Sequence, residues 1–160
     1  MKRKAFVLIL LLLATAVLAQ ERKPAPGLTL EAVKVDPASP GPDTLCKLSV
    51  TVKNAGAKTA SALGFRVKVD GKELAVYGKE LFFHPIPAGG TAEVKLHNFW
   101  SSETGRPFPT GGRMAVEVTL AEARWMDVKT ENGAEVWTPV GAVEGLPASK
   151  SVTLTLAKTR

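Results

Sequence analysis

In the strand of residues 45–53, Cys46 to Lys53 alternate without a fault, and this run constrains the fold more than any other feature of the chain. Cys46, Leu48, Val50 and Val52 fall on one parity, and Lys47, Ser49, Thr51 and Lys53 on the other. Successive side chains of a strand point to opposite faces, so this segment has one dry face and one wet face. The dry face needs a second layer to cover it. The same pattern returns in Leu63, Phe65, Val67 and Val69, in Met114, Val116, Val118 and Leu120, and in Val152, Leu154 and Leu156. Cys46 shares parity with core-forming residues, so it reads as a small buried hydrophobe; the alternative for an odd cysteine is a disulfide to another chain.

Turn chemistry separates these runs. Residues 28–35 form a first strand whose apolar parity slips between Leu30 and Val33, the mark of a bulge. Residues 36–43 hold three prolines and cannot serve a sheet ladder. Asp70-Gly71 is a two-residue signal for a type I′ hairpin, returning through residues 72–77. Residues 84–90 and 101–112 read as loops. Residues 91–100 read as one strand with Val94, Leu96, Asn98 and Trp100 on one side, which predicts a buried Trp100. Asn132-Gly133 predicts an extra hairpin within residues 120–149, pairing Glu131 with Ala134, Lys129 with Val136 and Val128 with Trp137. Directly paired residues share a face, so Met126, Val128 and Trp137 would form its apolar side.

The N-terminus places Lys2, Arg3 and Lys4 before an apolar run that ends in Val17-Leu18-Ala19. This is the pattern of a secretory signal cleaved after Ala19, with Ala16 as the second choice. An uncleaved anchor is the alternative, but the stretch from Ala5 to Ala19 spans 15 residues, short of the ~20 that cross a bilayer. Residues 1–19 are therefore expected to be removed, residues 20–27 to form a Pro-rich leader, and residues 28–160 to form one domain. After residue 19 the chain holds 15 Val, 13 Thr, all 14 Gly and all 11 Pro, the composition of an all-β protein. The formal charge of +6 falls to +3 without the three signal cations, and its mixed signs are not a nucleic-acid footprint. The expected architecture is an immunoglobulin-like antiparallel two-sheet sandwich of about seven strands plus the extra hairpin.

Four blocks carry a resemblance. Val35-Asp36-Pro37-Ala38-Ser39-Pro40 comes first, then Leu48-Ser49-Val50-Thr51-Val52-Lys53-Asn54-Ala55-Gly56. Val67-Lys68-Val69-Asp70-Gly71-Lys72-Glu73 and Ile86-Pro87-Ala88-Gly89-Gly90-Thr91-Ala92-Glu93-Val94 follow. In this order they resemble the CARDB domain, the cell adhesion related domain found in bacteria, over residues 28–120 and the last strand. The resemblance implies an exported, non-catalytic, immunoglobulin-like module. This chain departs from the family in having a single copy. It also lacks the acidic, Asn-rich stretch before the last strand, for which residues 129–135 are the nearest echo.

No catalytic motif is present. His84 precedes Pro85 in a loop, His97 lies on a polar parity, and neither has the spacing of a zinc ligand set. Nucleophile-elbow, phosphate-loop and dinucleotide signatures are missing, so no enzyme, cofactor or metal is expected. Binding is expected instead through residues outside the alternating core: Trp125, on the far side of the extra hairpin and flanked by Arg124 and Asp127, and Phe108 with Arg106 in the 101–112 loop. The expected product is a monomeric binding or adhesion module at the bacterial cell envelope, in the periplasm or outside the cell. Its partner is an envelope protein or polysaccharide. A small carbohydrate-binding domain using exposed aromatics is the second reading, because aromatic faces stack on sugar rings.

Overall fold

Alternation becomes two layers. The computed structural model describes residues 27–74, 77, 80–104 and 112–157; the expected signal and most of the leader lie outside these. Its strands are β1 (Leu28–Asp36), β2 (Leu45–Asn54), β3 (Thr59–Val69), β4 (Lys72–Glu73), β5 (Leu81–Phe82), β6 (Thr91–Lys95), β7 (Phe99–Trp100), β8 (Arg113–Glu131), β9 (Ala134–Ala142) and β10 (Ala148–Thr155). One sheet runs β1–β2–β6 with β7 also on β2, and the other runs β10–β8–β3–β4 with β5 on β3 and β9 on β8. Every pairing is antiparallel. The protein is an all-β, immunoglobulin-like two-sheet sandwich. Among the described residues, no helix is long and apolar enough to cross a membrane.

The core is made of the dry parities. Cys46, Leu48, Val50 and Val52 of β2 are buried with Val94 of β6. They face Leu63, Phe65, Val67 and Val69 of β3 and Met114, Val116, Val118 and Leu120 of β8. The parity slip in β1 is a register shift between Leu30 and Ala32, which lets Leu28, Leu30 and Val35 all reach the interior.

Both hairpin turns form where the turn residues put them. Asp70 and Gly71 have φ of 49° and 81° and close Val69 onto Lys72. Asn132 and Gly133 have φ of 51° and 81°, and the pairs Glu131–Ala134, Lys129–Val136 and Val128–Trp137 follow. Positive φ at both central positions is the type I′ geometry that suits a right-handed twist. The return strand after Gly71 is shorter than expected, only Lys72–Glu73.

Two expected boundaries are corrected. The strand expected from Leu63 begins at Thr59, and a register shift with Ala62 at a φ of 51° carries it through the join. The two arms expected as Met114 to Leu120 and Asp127 to Lys129 are one strand of 19 residues, β8. Its first half pairs with β10 and its second with β9, so the extra hairpin is a continuation of the sheet.

Asn54 closes the corner where the chain leaves one sheet for the other. It is fully buried, and its Nδ2 donates to the carbonyls of Lys58 (2.8 Å) and Ile86 (2.9 Å), while its Oδ1 accepts from the Gly56 N–H (2.9 Å). A buried polar group costs little when satisfied and about 1–3 kcal/mol for each partner stranded by its removal. Asn54→Leu keeps the branched shape, with somewhat more bulk, and strands three backbone groups. We expect it to lower unfolding stability by about 3 kcal/mol or more, read as a shift in urea midpoint at unchanged slope.

Candidate functional site

The wet face of the β1–β2–β6 sheet carries a groove of about 400 Å³. Register arranges its lining in rows across the strands. Asp36 stands opposite Lys47, and Lys34 stands opposite Ser49, which stands opposite Lys95. Glu93, Asn98 and the largely buried Leu48 and Leu96 complete the lining. The Ser49 hydroxyl donates to Glu93 Oε1 at 2.7 Å. Among the described residues, none of the ammonium groups of Lys34, Lys47 and Lys95 is in an ion pair. Neighbouring strands lie about 4.8 Å apart, so the three lysines occupy positions adjacent to Ser49 in the sheet.

Trp100 stands on the same face, one row beyond Lys47, and its position corrects the expectation of burial. Ser49 pairs with Lys95, whereas Cys46 pairs with Phe99 and Leu45 with Trp100. One extra residue therefore lies between β6 and β7, and a one-residue slip sends every following side chain to the other face. Phe99 enters the core at 1% exposure and Trp100 turns outward at 46%. Its cross-strand neighbour Leu45 is also exposed, at 38%. Lys47 and Asn98, each two residues along its strand from this pair, line the groove.

The backbone beneath Trp100 is pinned. Ser101 is fully buried; its N–H donates to the Thr44 carbonyl at 2.9 Å and its hydroxyl donates to the Gly41 carbonyl at 2.9 Å. The Thr44 N–H in turn donates to that hydroxyl at 2.9 Å. These bonds tie β7 to the 36–43 loop, so the indole is presented on a fixed frame.

The residues expected to bind are not gathered into one site. Trp125 is half-buried and packs against the core, which corrects the expectation that it is exposed. Its ring lies over Gly27 and Gly56: a Cβ on Gly27 would come within 2.6 Å of the ring, and one on Gly56 would overlap it. Its indole N–H donates to Glu144 Oε2 at 3.1 Å, and this bond holds the Glu144 carboxyl below the usual carboxylate range. Arg124 is exposed, but adjacent strand residues point to opposite faces, so it does not share a surface with Trp125. Arg106 and Phe108 lie outside the described residues.

On the extra hairpin, Met126 is buried, Trp137 is half-buried and Val128 is 40% exposed. Trp137 meets the exposed Phe83 edge to face at 5.7 Å. His97 bonds Glu80 through Nε2 and packs its ring near Tyr77 and Phe82. Among the described residues, no group of three or more His, Cys, Asp and Glu side chains converges.

Cys46 is fully buried, with its Sγ 3.7 Å from the Thr44 carbonyl, and burial pushes its thiol up to about 11. The native thiol should resist labelling at pH 8 and react once urea unfolds the chain. A folded value above the unfolded 9.0 means that the neutral thiol stabilises the fold below pH 9, and that this contribution is lost as pH rises toward 11. Thermal melts across that window should fall less in Cys46→Ala. The tryptophans give a second check. Acrylamide quenching of the emission should drop most in Trp100→Phe and little in Trp125→Phe; the reverse order would contradict the burial described here.

No protein-family model matches this chain, and no curated protein matches it. Among solved structures, it is similar to a CARDB domain from Pyrococcus furiosus, solved in complex with di-metal ions. The TM-score is 0.44 at 17% identity, covering 84% of this chain and 96% of that one. It is also similar to the alkylpurine DNA glycosylase AlkC of Pseudomonas fluorescens, bound to DNA containing an abasic site analogue. There the TM-score is 0.42 at 13% identity, covering 83% of this chain and 31% of that one.

Proposed function

We propose that this chain is an exported, non-catalytic β-sandwich module that binds a component of the bacterial cell envelope through the wet face of its β1–β2–β6 sheet. One observation carries the reading: a large indole, 46% exposed, is held on a rigid strand by buried hydrogen bonds beside a polar groove. An exposed tryptophan on an ordered backbone binds at a small entropy cost, and such residues dominate binding energy at interfaces. The basic and apolar N-terminus supports export. The four CARDB-like blocks support an adhesion-type role. Three of them contribute to this face: the first supplies Asp36, the second supplies Ser49 and the fourth supplies Glu93.

The test combines location and binding. Fractionation of expressing cells should recover the protein outside the cytoplasm, with N-terminal sequencing beginning at Gln20. The purified protein should sediment with isolated envelope fragments, and Trp100→Ala should weaken that binding about tenfold, as loss of a central anchor does. A cytoplasmic protein that retains Met1, or envelope binding that is the same in Trp100→Ala, would overturn the reading.

A further inference from the structure

We infer that the groove beside Trp100 is a binding site for an acidic polysaccharide, with a sugar ring stacked on the indole and its carboxylates on the lysines of the adjoining rows. The inference rests on the proposed role of this face and names the ligand class that the face would take. Three features of the surface point to it together. The indole is an apolar platform, 46% exposed, and aromatic faces suit the C–H face of a pyranose. Next to it stands a polar strip, with Asn98 and Ser49 able to bond hydroxyls. Around Ser49 stand Lys34, Lys47 and Lys95, cations without ion pairs among the described residues.

The carboxylates of the groove decide the sign of the ligand. Asp36 and Glu93 face the same space as the three lysines, and Glu93 already accepts the Ser49 hydroxyl. The balance is one positive charge in excess: the row of Asp36 and Lys47 nearest Trp100 is neutral, the row of Lys34, Ser49 and Lys95 carries two positive charges, and Glu93 stands in the row beyond. A neutral glycan would leave that charge unused, and an acidic polymer without rings would leave the indole unused. A chain of acidic sugars uses both.

The experiment is electrophoresis of the native protein through gels containing polygalacturonate, alginate, dextran or poly-glutamate. Retardation is expected in polygalacturonate or alginate and weakens with salt. Little or none is expected in dextran or in poly-glutamate. Trp100→Ala and the Lys47→Ala/Lys95→Ala double variant should each weaken retardation about tenfold, while Trp125→Phe leaves it unchanged. All four altered side chains of the site variants and control can be checked for folding by near-ultraviolet circular dichroism and melting. Absence of retardation by both acidic glycans would overturn the inference. Equal retardation by poly-glutamate, or retardation indifferent to Trp100→Ala, would reduce the site to charge adsorption and also overturn it. Sedimentation with envelope fragments that persists while both glycans fail would sink this ligand class alone. Loss of both kinds of binding would sink the proposed function with it.

Discussion

The sandwich depends on a single side chain at its corner. A chain that leaves one sheet to enter the other must break its ladder, and the freed backbone groups lie where water cannot reach them. Asn54 replaces the ladder there. Its amide satisfies the Lys58 and Ile86 carbonyls and the Gly56 N–H, and its own N–H donates to the Gly90 carbonyl at 2.8 Å. Next to it, the Ala55 N–H donates to the Gly27 carbonyl at 2.9 Å. Five segments that are distant in sequence thus meet at one residue and its neighbour. The start of β1, the end of β2, the approach to β3, the bridge at Ile86 and the loop before β6 are all fixed relative to one another.

The same corner explains Trp125. Gly56 follows Asn54 by two residues, and Gly27 is the residue that Ala55 bonds. Both lack a Cβ where the indole lies, so the corner leaves a slot and β8 fills it. A tryptophan that closes the end of a sandwich contributes apolar burial on one side and keeps its N–H for Glu144 on the other. Its flanking charges, Arg124 and Asp127, describe the strand on which it sits and say nothing about where its ring goes.

At the opposite end of the first sheet the decisive feature is one extra residue. Without it, β6 and β7 would be a single strand, Trp100 would complete the core and Phe99 would face water. With it, the smaller aromatic is buried, and the larger one stands beside Lys47 and Asn98 at the mouth of the groove. Ser101 makes this arrangement stable, because its buried hydroxyl both accepts from Thr44 and donates to Gly41. Bulges that re-aim a side chain at a sheet edge recur beside binding sites, and this one has the required consequence.

Local chemistry in the sequence determined a great deal. Period-two alternation named the core residues of β2, β3 and β8, and Asp70-Gly71 and Asn132-Gly133 set two hairpins with their pairing, because a two-residue turn admits one register. The slip in β1 was legible because apolar residues lie on both sides of it. The slip between β6 and β7 was not, since Leu96, His97, Asn98, Phe99 and Trp100 offer an apolar residue on either parity and the pairing partner, β2, is far away in sequence. Nor could the residues reveal that Asn54 is buried, that two glycines make room for Trp125, or that three lysines on three strands surround one serine. Each of these is a relation between segments brought together only by the packing of two sheets, and tertiary structure alone decides which face of a strand, and which of two neighbouring tryptophan environments, meets the solvent.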